Sequence, residues 1–286
     1  MKKILILIPL LIGNLSFAQN EGVIEHYNQM ISLLNLYSNN LENATKHYQS
    51  ADQSLVSYKK HNKGVVSMLN AESSNDSQIK TLEETVLLLP EGLDNKDQIK
   101  AHLKAAISFM NKHRDLSELL ASYVADKLYT SDNELKQFYA YMDTFQENAS
   151  GVYDNCNKAL ALAADQTFKI ELESLKQFPI SVWIIPMKTD LKTAETLFGY
   201  LEKKDTKNVK LAIEKMNSTL AEHKSTEGKS TDLLKDYYYK SVYEDFYKKL
   251  DEFLGRVTRE NPNMDYTSET FGEMIEKYNL FISQFN

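Results

Sequence analysis

The side chains best placed to do chemistry in this chain are aromatic. Tyrosine occurs 17 times. It is densest at Tyr237-Tyr238-Tyr239, followed by Tyr243 and Tyr247. Successive helical residues point about 100° apart, so three consecutive tyrosines cannot all face one core. At least one must be exposed or lie at an interface. Tyr suits interfaces because it joins an apolar ring to a polar tip. The functional reading is a patch for a sugar or protein partner. The competing reading is that the rings fill wide gaps between long helices. Trp183, the only tryptophan, lies in an apolar segment where it lines a ligand groove or seals one end of a core. The expected ligand- or partner-binding residues are therefore Tyr237, Tyr238, Tyr239, Tyr243 and Trp183. No catalytic or metal-binding residue is expected.

The other reactive types form no recognisable constellation. The six histidines are His26, His47, His61, His102, His113 and His223. A di-metal carboxylate bundle needs Glu-x-x-His on two helices, and no His here has a Glu three places before it. His-Glu-x-x-His is absent too. His113 falls on an apolar helical stripe, where a hydrogen-bonded core role is the stronger reading. Cys156 sits mid-helix in an apolar seam. That position supplies neither the cation nor the helix N-terminus that would make a reactive thiolate. Acidic pairs such as Glu83-Glu84 are expected by chance among 40 Asp and Glu. Nucleophile-elbow, phosphate-loop and kinase signatures are absent. No cofactor is implied, and the chain reads as a non-enzyme.

The elements that must carry these residues are long helices. Tyr27, Leu34, Leu41, Tyr48 and Leu55 recur every seven residues, with Met30, Tyr37, Ala44, Ala51 and Tyr58 three places later. Neither Pro nor Gly interrupts this seam, which predicts one helix from about Glu21 to Lys60. A polar cluster, Ser73-Ser74-Asn75-Asp76, opens a second helix that Pro90-Glu91-Gly92 ends. A third spans about Lys96–Leu128. Ser131 with Glu134 reads as a capping box. It precedes a second seam of Leu135, Phe138, Met142, Phe145, Ala149, Val152, Cys156, Ala159 and Ala163. Phe178 to Pro186 is bracketed by prolines and rich in β-branched residues, which predicts an extended connection, with Pro186 opening the next helix. Four shorter helices follow, near Met187–Lys203, Asp205–Lys224, Thr231–Arg259 and Ser268–Phe285. The fold class is all-α: an elongated antiparallel bundle with shorter C-terminal helices.

Residues 1–18 read as a secretory leader. Lys2 and Lys3 precede the apolar run Ile4–Ile12, and Ser16-Phe17-Ala18 fits a cleavage site before Gln19. No lipobox cysteine follows, so the expected location is periplasmic or secreted, without a lipid anchor or a membrane span in the mature chain. Residues 19–286 are expected to form a single helical domain, with a subdivision near 178–186 as the alternative. Losing Lys2 and Lys3 takes the formal net charge from −7 to −9. An acidic chain without basic runs is a poor match for nucleic acid. One cysteine cannot form an internal disulfide, so stability must come from packing.

The two ends echo each other in Tyr27-Asn28-Gln29-Met30-Ile31-Ser32-Leu33-Leu34 and Ile275-Glu276-Lys277-Tyr278-Asn279-Leu280. With the leader and the helical middle, this layout resembles the YiiG-type family of exported bacterial proteins of unknown function. A Tyr-Asn pair opens the first long helix of that family and another closes the chain. The missing lipobox cysteine departs from many such proteins. The resemblance implies an all-helical envelope protein and carries over no catalytic residue. The leading function is a non-enzymatic envelope protein that binds an envelope protein or small ligand. The alternative is a small-molecule or lipid carrier with a pocket near Trp183.

Overall fold

The computed structural model describes residues 21–63, 66, 76–259 and 261–285. The leader and the Ser73-Ser74-Asn75 cluster lie outside the described residues. The fold is all-α: the described residues form eight α-helices and a few single 3₁₀ turns, with no strand. They are α1 (Glu21–His61), α2 (Asp76–Thr85), α3 (Lys96–Ala125), α4 (Lys136–Leu175), α5 (Ser181–Glu202), α6 (Thr206–Lys224), α7 (Tyr238–Val257) and α8 (Met264–Ile282). The chain divides into two compact units, one ending at Ile170 and one running from Glu171 to Asn286. This boundary falls inside α4, ahead of the segment 178–186 that the sequence offers as the alternative to a single domain.

In the first unit the heptad seam of α1 is the buried face. Every seam position from Met30 to Leu55 is buried, and Tyr27 and Tyr58 at its ends are half-buried. Cross-helix pairs set the directions. Tyr48 on α1 meets Ser117 on α3 at 2.7 Å, and Lys59 Nζ donates to Thr130 O just beyond α3, so α1 and α3 run parallel. Tyr139 on α4 donates to Asp52, and Phe145 packs edge-on to Tyr48 at 4.9 Å, so α4 returns antiparallel to α1. The second seam is buried at Leu135, Phe138, Phe145, Val152, Cys156, Ala159 and Ala163. Gly151 on α4 has a packing role that its place off the seam does not suggest. A Cβ there would lie 2.5 Å from the Phe109 ring of α3, so the missing side chain is what seats that ring.

Asp132, one residue after the expected Ser131, caps α4. Its carboxylate accepts from the backbone N–H of Gln137 at 3.0 Å and from the Tyr123 hydroxyl at 2.7 Å. Glu134 cannot close a capping box, because it takes a left-handed turn with φ 56°. Tyr37 and Arg114 both donate to Glu83, which joins α1 and α3 to α2.

In the second unit, Phe178–Pro186 is not the extended connection expected. Only Lys176–Ile180 forms a turn, and α5 begins at Ser181 with Pro186 inside it. Trp183, Ile184, Met187, Leu191 and Ala194 stand at helical spacing, and all are buried. Burial of that stripe outweighs the backbone bond to Val182 O that Pro186 cannot make. The expected Thr231–Arg259 helix is also split. A single 3₁₀ turn, Thr231–Leu233, precedes α7, which starts at Tyr238. Helices α7 and α8 are antiparallel, tied by Lys277 to Asp245 at 3.1 Å and Lys249 to Glu273 at 2.7 Å. Among the described residues no helix is long and apolar enough to cross a membrane.

Candidate functional site

The α5 stripe that buries Trp183 and Met187 also turns Asp190 inward, three residues after Met187 and four before Ala194. Asp190 is fully buried, and a buried carboxylate needs partners. Two arrive from other helices. His223, in the last turn of α6, donates from Nδ1 to Asp190 Oδ2 at 2.8 Å. Tyr247, on α7, donates its hydroxyl to the same oxygen at 3.1 Å. A carboxylate only accepts, so it fixes the proton on His223 Nδ1. Burial lifts the Asp190 carboxyl above its ordinary range, against the hydrogen bonds from His223 and Tyr247 and the nearby Lys229 charge.

Lys229 completes the cluster. The turn Thr226–Lys229 closes with Lys229 N donating to Thr226 O at 3.2 Å. Gly228 takes φ +77° in it, a conformation that suits glycine. That turn sends Lys229 back across the end of α6. Its Nζ donates to His223 O at 3.0 Å and to the Tyr243 hydroxyl at 2.6 Å. Tyr243 in turn donates to His223 O. The same ammonium lies at the hydroxyl end of the Tyr243 ring, 4.5 Å from its centroid, and 5.5 Å from the Trp183 centroid. Burial draws the Lys229 ammonium down to about 8, against the attraction of Glu222 and Asp190. Trp183 Nε1 donates to Ser230 O at 3.2 Å, so α5 holds the segment after the turn as well.

The five residues singled out from sequence therefore separate. Trp183 and Tyr243 meet in the core, both 0% exposed, with ring planes at 90° and centroids 4.9 Å apart. Tyr239 is half-buried against Tyr238 and Phe281. Tyr237 and Tyr238 are 71% and 53% exposed at the start of α7, with Lys240 Nζ 5.6 Å from the Tyr237 ring. Asp190, His223, Lys229 and Tyr247 were missed as site residues. The signal for Asp190 was its place on the α5 stripe. Nothing local marks Lys229 except the glycine before it.

A second ionic contact lies in the same unit. Lys188 Nζ is 2.5 Å from Glu171 Oε2, with side chains 5% and 1% exposed. Burial pushes the lysine down and the carboxyl up, and their mutual attraction opposes both. In the first unit, His113 packs against Tyr48 and Phe145. Burial and the Arg114 charge push it down to about 4. Cys156 is a buried thiol pushed up to about 12. Among the described residues no group of three or more His, Cys, Asp or Glu is placed to hold a metal ion. No protein-family model, curated protein or solved structure matches this chain.

Proposed function

We propose that this chain is a non-catalytic binding module of the bacterial cell envelope, with Tyr237 and Tyr238 as its contact surface. The observation that carries this reading is the division within one aromatic run. Tyr243 and Tyr247 serve the core, while Tyr237 and Tyr238, with no core role, keep 71% and 53% of their surface in water. Two adjacent exposed rings form a small apolar patch of the kind that marks a contact surface. Tyr supplies contact area at low conformational cost, which suits recognition. The segment is also held in place. Asp236 accepts from Tyr238 N at 3.0 Å, and Gln284 accepts from Lys235 N at 3.3 Å. A pre-positioned surface loses less entropy on binding. The envelope assignment rests on the leader-like residues 1–18. A mature chain beginning at Gln19, read by intact mass, is the expected result, and an unprocessed Met1 terminus would remove that part.

The binding claim is tested with Tyr237→Ser/Tyr238→Ser in the full chain. Both side chains are exposed, so unfolding by urea should be unchanged within about 0.5 kcal/mol. Co-purification of a partner should fall to background. A partner retained at wild-type yield would count against the tyrosine surface.

A further inference from the structure

We propose that Lys229 is a reversible covalent capture site for small carbonyl compounds, its ε-amine condensing with an aldehyde to form an imine beside Trp183 and Tyr243. This site is independent of the Tyr237–Tyr238 surface, and either can fail alone.

Among the described residues, Lys229 makes its polar contacts with a carbonyl and a phenol rather than with a carboxylate. A lysine is ordinarily kept charged and unreactive by water or a carboxylate. Here part of that water is replaced by the Trp183 ring and the Tyr243 hydroxyl. Desolvation of this kind is a recognised route to a nucleophilic lysine. The residue is also not sealed from solvent. Lys229 is half-buried, and Glu227, Gly228, Ser230 and Thr231 around it are exposed. The amine is pinned at one point by Tyr243 and His223, so a ligand meets one geometry rather than a mobile chain.

The chemistry balances without an outside oxidant. The neutral amine's lone pair attacks the carbonyl carbon, and the π pair moves to oxygen. Nitrogen gives up a proton and oxygen gains one. Water then leaves the carbinolamine and C=N remains, and hydrolysis reverses the sequence. With the ammonium drawn down to about 8, about a quarter of the amine is neutral at pH 7.5, against about a thousandth for an ordinary lysine. Lower basicity gives back part of that gain by the trade-off known for thiolates, leaving a net advantage of about tenfold.

The competing role is a helix cap. The carbonyls of the last α6 turn lack intrahelical donors, and a cation there is favourable. A cap alone predicts a protected amine. The test treats the folded full-length chain with propionaldehyde and cyanoborohydride at pH 7.5 and follows each lysine by peptide mass spectrometry. Lys229 is expected to be propylated about tenfold faster than the exposed Lys207 and Lys210. Its rate should rise to a plateau above about pH 8, while theirs keeps climbing. Lys229→Arg should remove the fast phase with the circular dichroism unchanged. Labelling of Lys229 at or below the rate of Lys207 and Lys210 would overturn the proposal and leave the cap.

Discussion

Asp190 Oδ2 is the shared acceptor that joins His223 of α6 to Tyr247 of α7, at 2.8 and 3.1 Å. One fully buried carboxylate on α5 thus pairs with residues 33 and 57 positions away. Asp190→Ala would take the carboxylate acceptor away from the buried Tyr247 and the half-buried His223. The expected cost is about 3 kcal/mol, read as a lower urea midpoint at unchanged m-value. Asp190→Asn keeps the shape and one acceptor and should lose less. Equal midpoints for Ala and wild type would show that the junction does not stabilise the unit.

The Lys188–Glu171 pair makes a sharper contrast. Both side chains are out of water, so removing one strands the other. Lys188→Met alone should destabilise by about 3 to 5 kcal/mol, whereas Lys188→Met/Glu171→Leu should recover most of that. A double variant as unstable as the single would mean that the two apolar replacements cannot pack in the space of the ion pair.

The order of the elements was legible and the site was not. The α1 seam is marked by five unbroken heptads, and burial follows it from Met30 to Leu55. Pro179 and Pro186 suggest a break, but the stripe Trp183, Met187, Asp190, Ala194 is helical in period, and its burial decides the structure. Composition pointed to Trp183 and Tyr243 as residue types. Their meeting with Asp190, His223 and Lys229 depends on how α5, α6 and α7 pack, and no local pattern encodes contacts at such separations. The exposure of Tyr237 and Tyr238 was legible in part, because three adjacent tyrosines cannot share one face.

Acid should act on the first unit through His113. The folded imidazole is pushed down to about 4 from an ordinary 6.5. Between those values the unfolded chain binds the proton that the folded chain refuses. Stability is therefore full above about pH 6.5 and falls as the pH drops toward 4, by about 3 kcal/mol in all. His26, also lowered by burial, adds to the slope in the same direction. His113→Leu should be less steep than wild type across this window in urea titrations. Identical slopes would place the acid response elsewhere.

The binding reading rests on Tyr237 and Tyr238 as a contact surface. Its most direct test is site-specific photocrosslinking in the cells that produce the protein. A benzophenone side chain would replace Tyr237 or Tyr238 in turn, with the exposed Leu211 (53% exposed) as control. One discrete adduct is expected from positions 237 and 238, absent at 211 and outcompeted by added wild-type protein but not by Tyr237→Ser/Tyr238→Ser. Adducts of the same pattern at all three positions, or none at 237 and 238, would contradict it.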